Sequence, residues 1–207
     1  MTVKLAVLLS GGGRTLVNLA EAIDAGDLDA SIVLVISSLR TAKGVLRAQE
    51  LGHKTMVLRP RDFDGPTEFA AAQTQAIEAA GAELIVMAGY LVHYPVPEDW
   101  QGRILNIHPS LLPRHGGLGL YGSRVHAAVL AGGDEVSGCT VHVVDDEYDH
   151  GPVLAQTEVP VLPDDNVDSL ASRVFEAECR TYPAAIAAHA VSLELNTGES
   201  GARQGFA

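Results

Sequence analysis

The chain is predicted to fold as a doubly wound α/β domain with a mostly parallel sheet, an antiparallel extension at its C-terminal edge and a long C-terminal helix. Three observations predict it. Short apolar runs alternate with segments of helical periodicity, and the runs are apolar on both faces, as strands of a sheet covered on both sides must be. The first run stops at a run of glycines, Gly11 to Gly13, directly before a helical segment. After residue 137 the alternation gives way to two consecutive strand-like runs. At 207 residues the chain has the length of one domain, assigned to residues 1–190, with 191–207 as a tail.

The elements follow in order. "KLAVLLS" is the first strand, and "TLVNLAEAIDAG" carries apolar residues at helical spacing up to Gly26, a C-terminal stop. "SIVLVISS" is a β-branched strand, "KGVLRAQELG" a short helix and "KTMVL" a third strand. The alanine-rich "TEFAAAQTQAIEAAG" is a helix ending at Gly81, followed by "LIVMAG" and "RILNIH" as the fourth and fifth strands. The stretch "RHGGLGLYGSRVH", Arg114 to His126, is read as a loop. "GCTVHVVDD" and "PVLAQTEVPV" are strands joined by an acidic turn with Gly151-Pro152, so they pair antiparallel. "NVDSLASRVFEAECRTYPAAIAAHAV" is the long helix, with Asp164 or Asp165 near its cap and a bend near Pro183. The last residues, "NTGESGARQGFA", lack apolar periodicity and are expected to be loose.

Composition excludes several classes. No apolar run approaches the ~20 residues of a membrane span. The apolar N-terminus ends in glycines rather than in a small-residue cleavage site, so a cytoplasmic protein is expected. A net charge of -12 opposes nucleic-acid binding, which needs clustered Lys and Arg. The partners expected are small molecules, with no nucleic acid and no membrane, and the protein a monomer or homodimer. Cys139 and Cys179 lie far apart with no CxxC spacing, which fits a reducing compartment and two small, mainly apolar side chains.

A glycine-rich turn before a helix is an anion site, because backbone N–H groups and the helix dipole point outward there. The dinucleotide pattern fails, since the position of its third glycine is Leu16 and the second strand ends in Ser37 and Ser38 rather than an acid. The Walker A pattern fails too, since Gly13 is followed by Arg14 and Thr15 and the earlier glycine position is Leu8. Two readings stand: a cradle for a single phosphate from Gly11, Gly12, Gly13, Arg14 and Thr15, or a turn that needs glycines only for its backbone angles.

Asn106 and His108 share one face at the end of the fifth strand, because residues two apart in a strand point the same way. Open α/β sheets bind ligands beyond that edge. An amide N–H can hydrogen-bond a developing oxyanion, and an imidazole can exchange protons near neutrality. No serine or cysteine occupies a nucleophile elbow, so the pair suits direct acyl transfer through a tetrahedral intermediate. The turn "DDEYDHGP" brings four carboxylates, Asp145, Asp146, Glu147 and Asp149, any of which could serve an imidazolium or simply form a solvated loop. His108, His115, His126, His142 and His150 form no compact ligand pattern, so no metal is expected.

"NIHPSLLP", then "GCTVH", the Asp146 to Pro152 segment "DEYDHGP" and Gln156 in the next strand resemble the folate-dependent formyltransferase family, over Lys4 to about His189. The resemblance implies a Rossmann-like, formyltransferase-type fold. It implies transfer of a formyl group from 10-formyltetrahydrofolate, a co-substrate, to the amine of 5'-phosphoribosylglycinamide, without a metal, in purine synthesis. It also implies a catalytic trio of Asn106, His108 and Asp149. By the same resemblance Gly11, Gly12, Gly13, Arg14 and Thr15 hold the ribotide phosphate and Glu178 contacts the ribose. Tyr90, Leu91, Val92, His93, Tyr94, Asn106 and the stretch Val144 to Asp149, with Val144, Asp145 and Asp146 foremost, line the folate side.

Three departures from the family pattern stand out. Arg14 and Thr15 replace a serine and an asparagine, "LVHY" replaces a segment containing an arginine, and the loop from Arg114 to His126 is longer than usual. Other acceptors fit the same chemistry: an amino sugar nucleotide, an initiator tRNA, or water in a hydrolase. The tRNA enzyme and the hydrolase carry additional domains for which this length leaves no room. A non-catalytic nucleotide-binding module would not need the trio.

Overall fold

In the computed structural model, which describes residues 2–201 and side chains as far as 193, the apolar runs become a seven-stranded sheet. The strands are β1 (Val3–Leu9), β2 (Ala30–Ser37), β3 (Thr55–Val57), β4 (Leu84–Met87), β5 (Ile104–His108), β6 (Val136–Val143) and β7 (Val153–Pro160). They lie in the order β3-β2-β1-β4-β5-β6-β7, parallel from β3 to β5 and antiparallel across β5–β6 and β6–β7. The helices are α1 (Arg14–Asp24), α2 (Lys43–Glu50), α3 (Pro66–Ala79), α4 (Ser123–Gly132) and α5 (Val167–Gly201).

Strand β1 shows why the sheet lies buried. Its residues Leu5 to Leu9 are fully buried and alternate between two cores: Leu5, Val7 and Leu9 face the side of α1 and α5, and Ala6 and Leu8 the side of Ile77 in α3. A central parallel strand has no solvent face, which is why its sequence is continuously apolar. Burial on this scale, at about 25 cal/mol per Å² of apolar surface removed from water, drives the assembly.

Strand order reverses at β1, where β2 lies on one side and β4 on the other, so the segments after β1 and β4 border a crevice at the C-terminal ends of the parallel strands. The antiparallel edge adds a second wall. In that register His142 of β6 stands opposite Asn106 of β5, and Thr140 opposite His108.

The structure departs from the expectations at three places. Residues 123–132 form helix α4, whose first turn takes the end of the Arg114 to His126 stretch expected to be a loop. Its buried residues Val125, His126 and Val129 follow helical spacing, and Gly133 ends it in the left-handed conformation. The run of glycines before it, and a cap position occupied by Gly122 with no side-chain bond, hid its start.

Second, the cap of α5 is Asn166, whose Oδ1 accepts the N–H groups of Asp168 at 2.9 Å and Ser169 at 3.0 Å. Asp165 instead binds Arg173 through both carboxylate oxygens, at 2.5 and 2.9 Å. Third, α5 carries Pro183 inside it and continues to Gly201, through the first part of the expected loose tail. The rest of that tail, 202–207, lies outside the described residues.

Candidate active site

Asn106 and His108 project from the same face of β5, as the two-residue period requires. His108 is 4% exposed, and both of its ring nitrogens meet oxygen acceptors. Nδ1 lies 3.3 Å from Asp149 Oδ2, and Nε2 lies 2.8 Å from the carbonyl oxygen of His115. Only the doubly protonated ring can donate to both at once. The Asn106 amide donates to His142 Nε2 at 3.0 Å and, more weakly, to Asp149 Oδ1 at 3.5 Å. His142 can accept there because its Nδ1 donates to the carbonyl of Val143 at 3.1 Å.

Asp149 reaches this face by an unusual path. Because β6 runs antiparallel to β5, its end lies beside the beginning of β5, where the Val144 N–H donates to the Ile104 carbonyl at 2.8 Å. The acidic turn must therefore double back over the sheet. Asp149 does so in the left-handed region, at φ 54°, a conformation that costs a non-glycine residue about 1–2 kcal/mol. Two residues later Gly151 passes so close to β6 that a Cβ atom there would stand 1.9 Å from the Val143 carbonyl oxygen. The Gly-Pro pair thus seats the turn directly on β6.

Burial pushes the Asp149 carboxyl upward. The hydrogen bond from His108, the charge of His108 and the N–H of Gly117 outweigh it and hold the group well below the usual carboxylate range. The Gly117 N–H donates to Oδ2 at 2.9 Å.

Asp145 and Asp146 of the turn are engaged elsewhere. Asp145 binds His150 Nδ1 at 2.8 Å and accepts the Glu147 N–H at 3.0 Å. Asp146 accepts the Val96 N–H through Oδ1 at 3.2 Å, and its carbonyl accepts His93 Nε2 at 3.0 Å.

Two spaces meet at this group. The larger, about 490 Å³, is bordered by Arg14, Thr15, Leu91, Phe175 and Glu178, and by the 117–126 segment. Arg14 sits 4.2 Å above the ring of Phe175, a cation–π contact that leaves its guanidinium at the cavity wall. Burial pushes the Glu178 carboxyl up to about 7, against the lowering charges of Arg14 and His108. Gly13 caps α1 at φ 75° without a side-chain bond, and a Cβ there would stand 2.6 Å from Gly44 Cα. The turn thus needs its glycine for backbone reasons, and the same geometry leaves the first N–H groups of α1 without a capping side chain. Gly11 and Gly12 are exposed, and the Gly12 carbonyl accepts Arg47 at 2.9 Å.

The smaller space is a recess of about 70 Å³ beside Tyr90, Val92, His93, Tyr94, Val144 and Asp145. Asn106 and Asp149 border both spaces. Two hydroxyls beside the recess already have partners: Tyr90 donates to Gln73 at 2.5 Å and Tyr94 bonds Thr74 at 2.7 Å. Of the residues expected on the folate side, Leu91 borders the larger space, and the Asp146 side chain supports the backbone at Val96.

Two residues at these walls, Arg124 and His126, had no role in the sequence reading, and a third, Tyr148, falls in the Val144 to Asp149 stretch expected on the folate side. Arg124 stacks 4.7 Å from the Tyr121 ring at the wall of the larger space. His126, 5% exposed, has a buried Nδ1 without a partner, and burial, then the charges of Arg14 and His108, lower it to about 4. Tyr148 meets the His93 ring edge-on at 5.4 Å. The spacing of Val125 and Val129 was the signal that could have found α4, and with it Arg124 and His126.

A family model described as "Formyl transferase" matches residues 3–186. The chain is 39% identical over 188 residues to "Trifunctional purine biosynthetic protein adenosine-3" of Drosophila melanogaster, covering 89% of this chain but only 14% of that protein. It is 36% identical to "Phosphoribosylglycinamide formyltransferase" of Haemophilus influenzae, covering 88% of this chain and 85% of the relative. The solved structure of glycinamide ribonucleotide transformylase 1 from Symbiobacterium toebii superposes with a TM-score of 0.84 at 36% identity, over 90% of this chain and 86% of that one.

Proposed function

The chain belongs to the formyl transferase family, and on that premise we propose that it moves a formyl group from 10-formyltetrahydrofolate to the amine of 5'-phosphoribosylglycinamide. One observation carries the reading: Asn106 and Asp149 border both spaces, so the groups suited to acyl transfer stand where a donor held on one side would meet an acceptor held on the other. The names of the relatives favour the same acceptor.

The chemistry follows from the hydrogen bonds. The acceptor amine attacks the formyl carbon, forming a C–N bond and an oxyanion. An N–H of Asn106 now spent on the 3.5 Å contact with Asp149, together with a His108 N–H, turns to that oxyanion. Asp149, ionised across the working range, balances the charge on His108 and receives the amine proton through water. Collapse breaks the bond to the folate nitrogen, which takes up, through water, the proton that Asp149 received. Every proton and electron pair is accounted for by these groups.

The larger space has the groups for a ribotide: Arg14 and the open end of α1 for phosphate, Glu178 for ribose hydroxyls. The recess falls short of the ~300 Å³ of a usual ligand site, so a pterin ring enters when the exposed Tyr148 moves off His93. Within this reading the protein works in the cytoplasm on small molecules, as a monomer or homodimer.

The deciding assay supplies the protein with 10-formyltetrahydrofolate, with and without the ribotide, and follows tetrahydrofolate and formate. Turnover that depends on the ribotide is expected. Formate release without an amine would make it a hydrolase, and no turnover in either mixture would refute the reading.

A further inference from the structure

The four residues Arg114 to Gly117 touch both members of the His108–Asp149 pair. The His115 carbonyl accepts from His108 Nε2, and the Gly117 N–H donates to Asp149. Between them Gly116 passes against the turn, where a Cβ would stand 3.2 Å from Asp149 Cβ and 2.4 Å from Leu112 Cδ2. Among the described residues, the non-glycine positions with positive φ are His115, at 56°, and Asp149 itself. Strain of that kind costs about 1–3 kcal/mol and persists only where surrounding contacts impose it.

The contacts that impose it converge on one side chain. His115 Nε2 lies 2.5 Å from Asp134 Oδ2, and Arg114 donates to Asp134 Oδ1 at 2.5 Å. The Asp134 side chain is 9% exposed and follows α4, far in sequence from the turn it grips. The hydrogen bond from His115, opposed by burial and reinforced by the charge of Arg114, holds Asp134 below the usual carboxylate range, so it is ionised at neutral pH. The other end of the turn is tied by Ser110, whose hydroxyl donates to the Arg114 carbonyl at 2.7 Å.

We propose that Asp134 is a positioning residue for formyl transfer: by gripping the His115 ring it holds the left-handed turn that aims the His115 carbonyl at His108 Nε2, and so fixes the ring plane in which Nδ1 meets Asp149. It touches neither substrate space, and of its two bonds to the turn, from Arg114 and from His115, the one to the His115 ring is the one that sets the carbonyl. The assignment rests on the catalytic role given to His108 and Asp149 above. A misaimed imidazole loses rate rather than binding, because the ring's hydrogen bonds matter most as charge develops.

The test is a double-mutant cycle read by kinetics and by the ring nitrogen NMR signals of His108. Asp134→Asn should lower kcat about 10- to 100-fold and leave both KM values within about twofold, while shifting the His108 ring signals. In a His115→Gly background, where the turn needs no side-chain grip, Asp134→Asn should change neither quantity further. Equal losses in the two backgrounds would show that Asp134 merely stabilises the turn and would overturn the proposal. So would a folded Asp134→Asn protein with normal kcat and unmoved His108 signals. If the wild type transfers no formyl group at all, the catalytic reading fails, whereas the His108 signals still report whether Asp134 sets the ring.

Discussion

The two spaces that meet at Asn106 and Asp149 are built on opposite plans. Around the larger one, three ionisable groups lack a side-chain hydrogen bond among the described residues: Glu178 is pushed up to about 7, His126 down to about 4, and Arg14 rests on an aromatic face. Around the recess, the Tyr90 and Tyr94 hydroxyls and the Asp145 carboxylate are bonded to other protein groups, and the volume is a fraction of the other's. Polar groups left unsatisfied in a folded chain cost stability, so their concentration on one side marks where a polar, charged ligand supplies what the protein lacks. The recess can offer a flat heterocycle little more than shape and backbone edges.

The comparison can be broken first at the shared wall. His108→Ala and Asp149→Asn should each cut kcat at least ~10²-fold while leaving the two KM values similar, since both act between the spaces. Steady-state kinetics on the folded variants checks this, and near-normal turnover would sink the assignment.

The next effect concerns stability without ligand. Glu178 has a folded pKa above its unfolded value of 4.5, so the folded state binds the proton more tightly. Its penalty is absent below pH 4.5, grows as pH rises towards 7 and is complete above it. Glu178→Gln should therefore stabilise the free protein by on the order of 2 kcal/mol at pH 8 and hardly at all at pH 4.5, in thermal or urea melts. The same substitution should weaken ribotide binding, the usual exchange of stability for function.

Smaller and more selective, Arg14→Gln should raise the ribotide KM about tenfold, the worth of one charge-assisted bond, and leave the folate KM unchanged. Smallest, Tyr148→Ala should move only the folate KM, by about threefold or less, because it frees the recess while removing one ring contact. Equal effects on both substrates in either variant would erase the distinction between the spaces.

What sequence could tell follows the same division. The parallel half was legible because burial on both faces leaves continuous apolar runs, and Asn106 with His108 was legible because a two-residue period is visible in the chain. Nothing local distinguished Asp149 from Asp145, Asp146 or Glu147; that choice depends on the antiparallel register of β6 and the doubling back of the turn. Helix α4 was hidden because glycines supply its approach, and with it went Arg124, His126 and the anchoring place of Asp134. The cap of α5 went to Asn166 because Arg173, two turns into the helix, claims Asp165.

Tyr182 lies on α5, fully buried, with its hydroxyl 3.1 Å from the Met87 carbonyl and 3.0 Å from that of Leu105. It shares its one proton between neighbouring strands, just below the level of Asn106. Synthesis proceeds from the N-terminus, so β4 and β5 leave the ribosome long before the residue that ties them together. A nascent chain ending before α5 would hold β4 and β5 paired by their backbone ladder but without the Tyr182 bridge, at a cost of about 1–3 kcal/mol for a buried carbonyl left without a donor. Helix α5 is in that sense a clock: the site cannot be finished before its residues have been added.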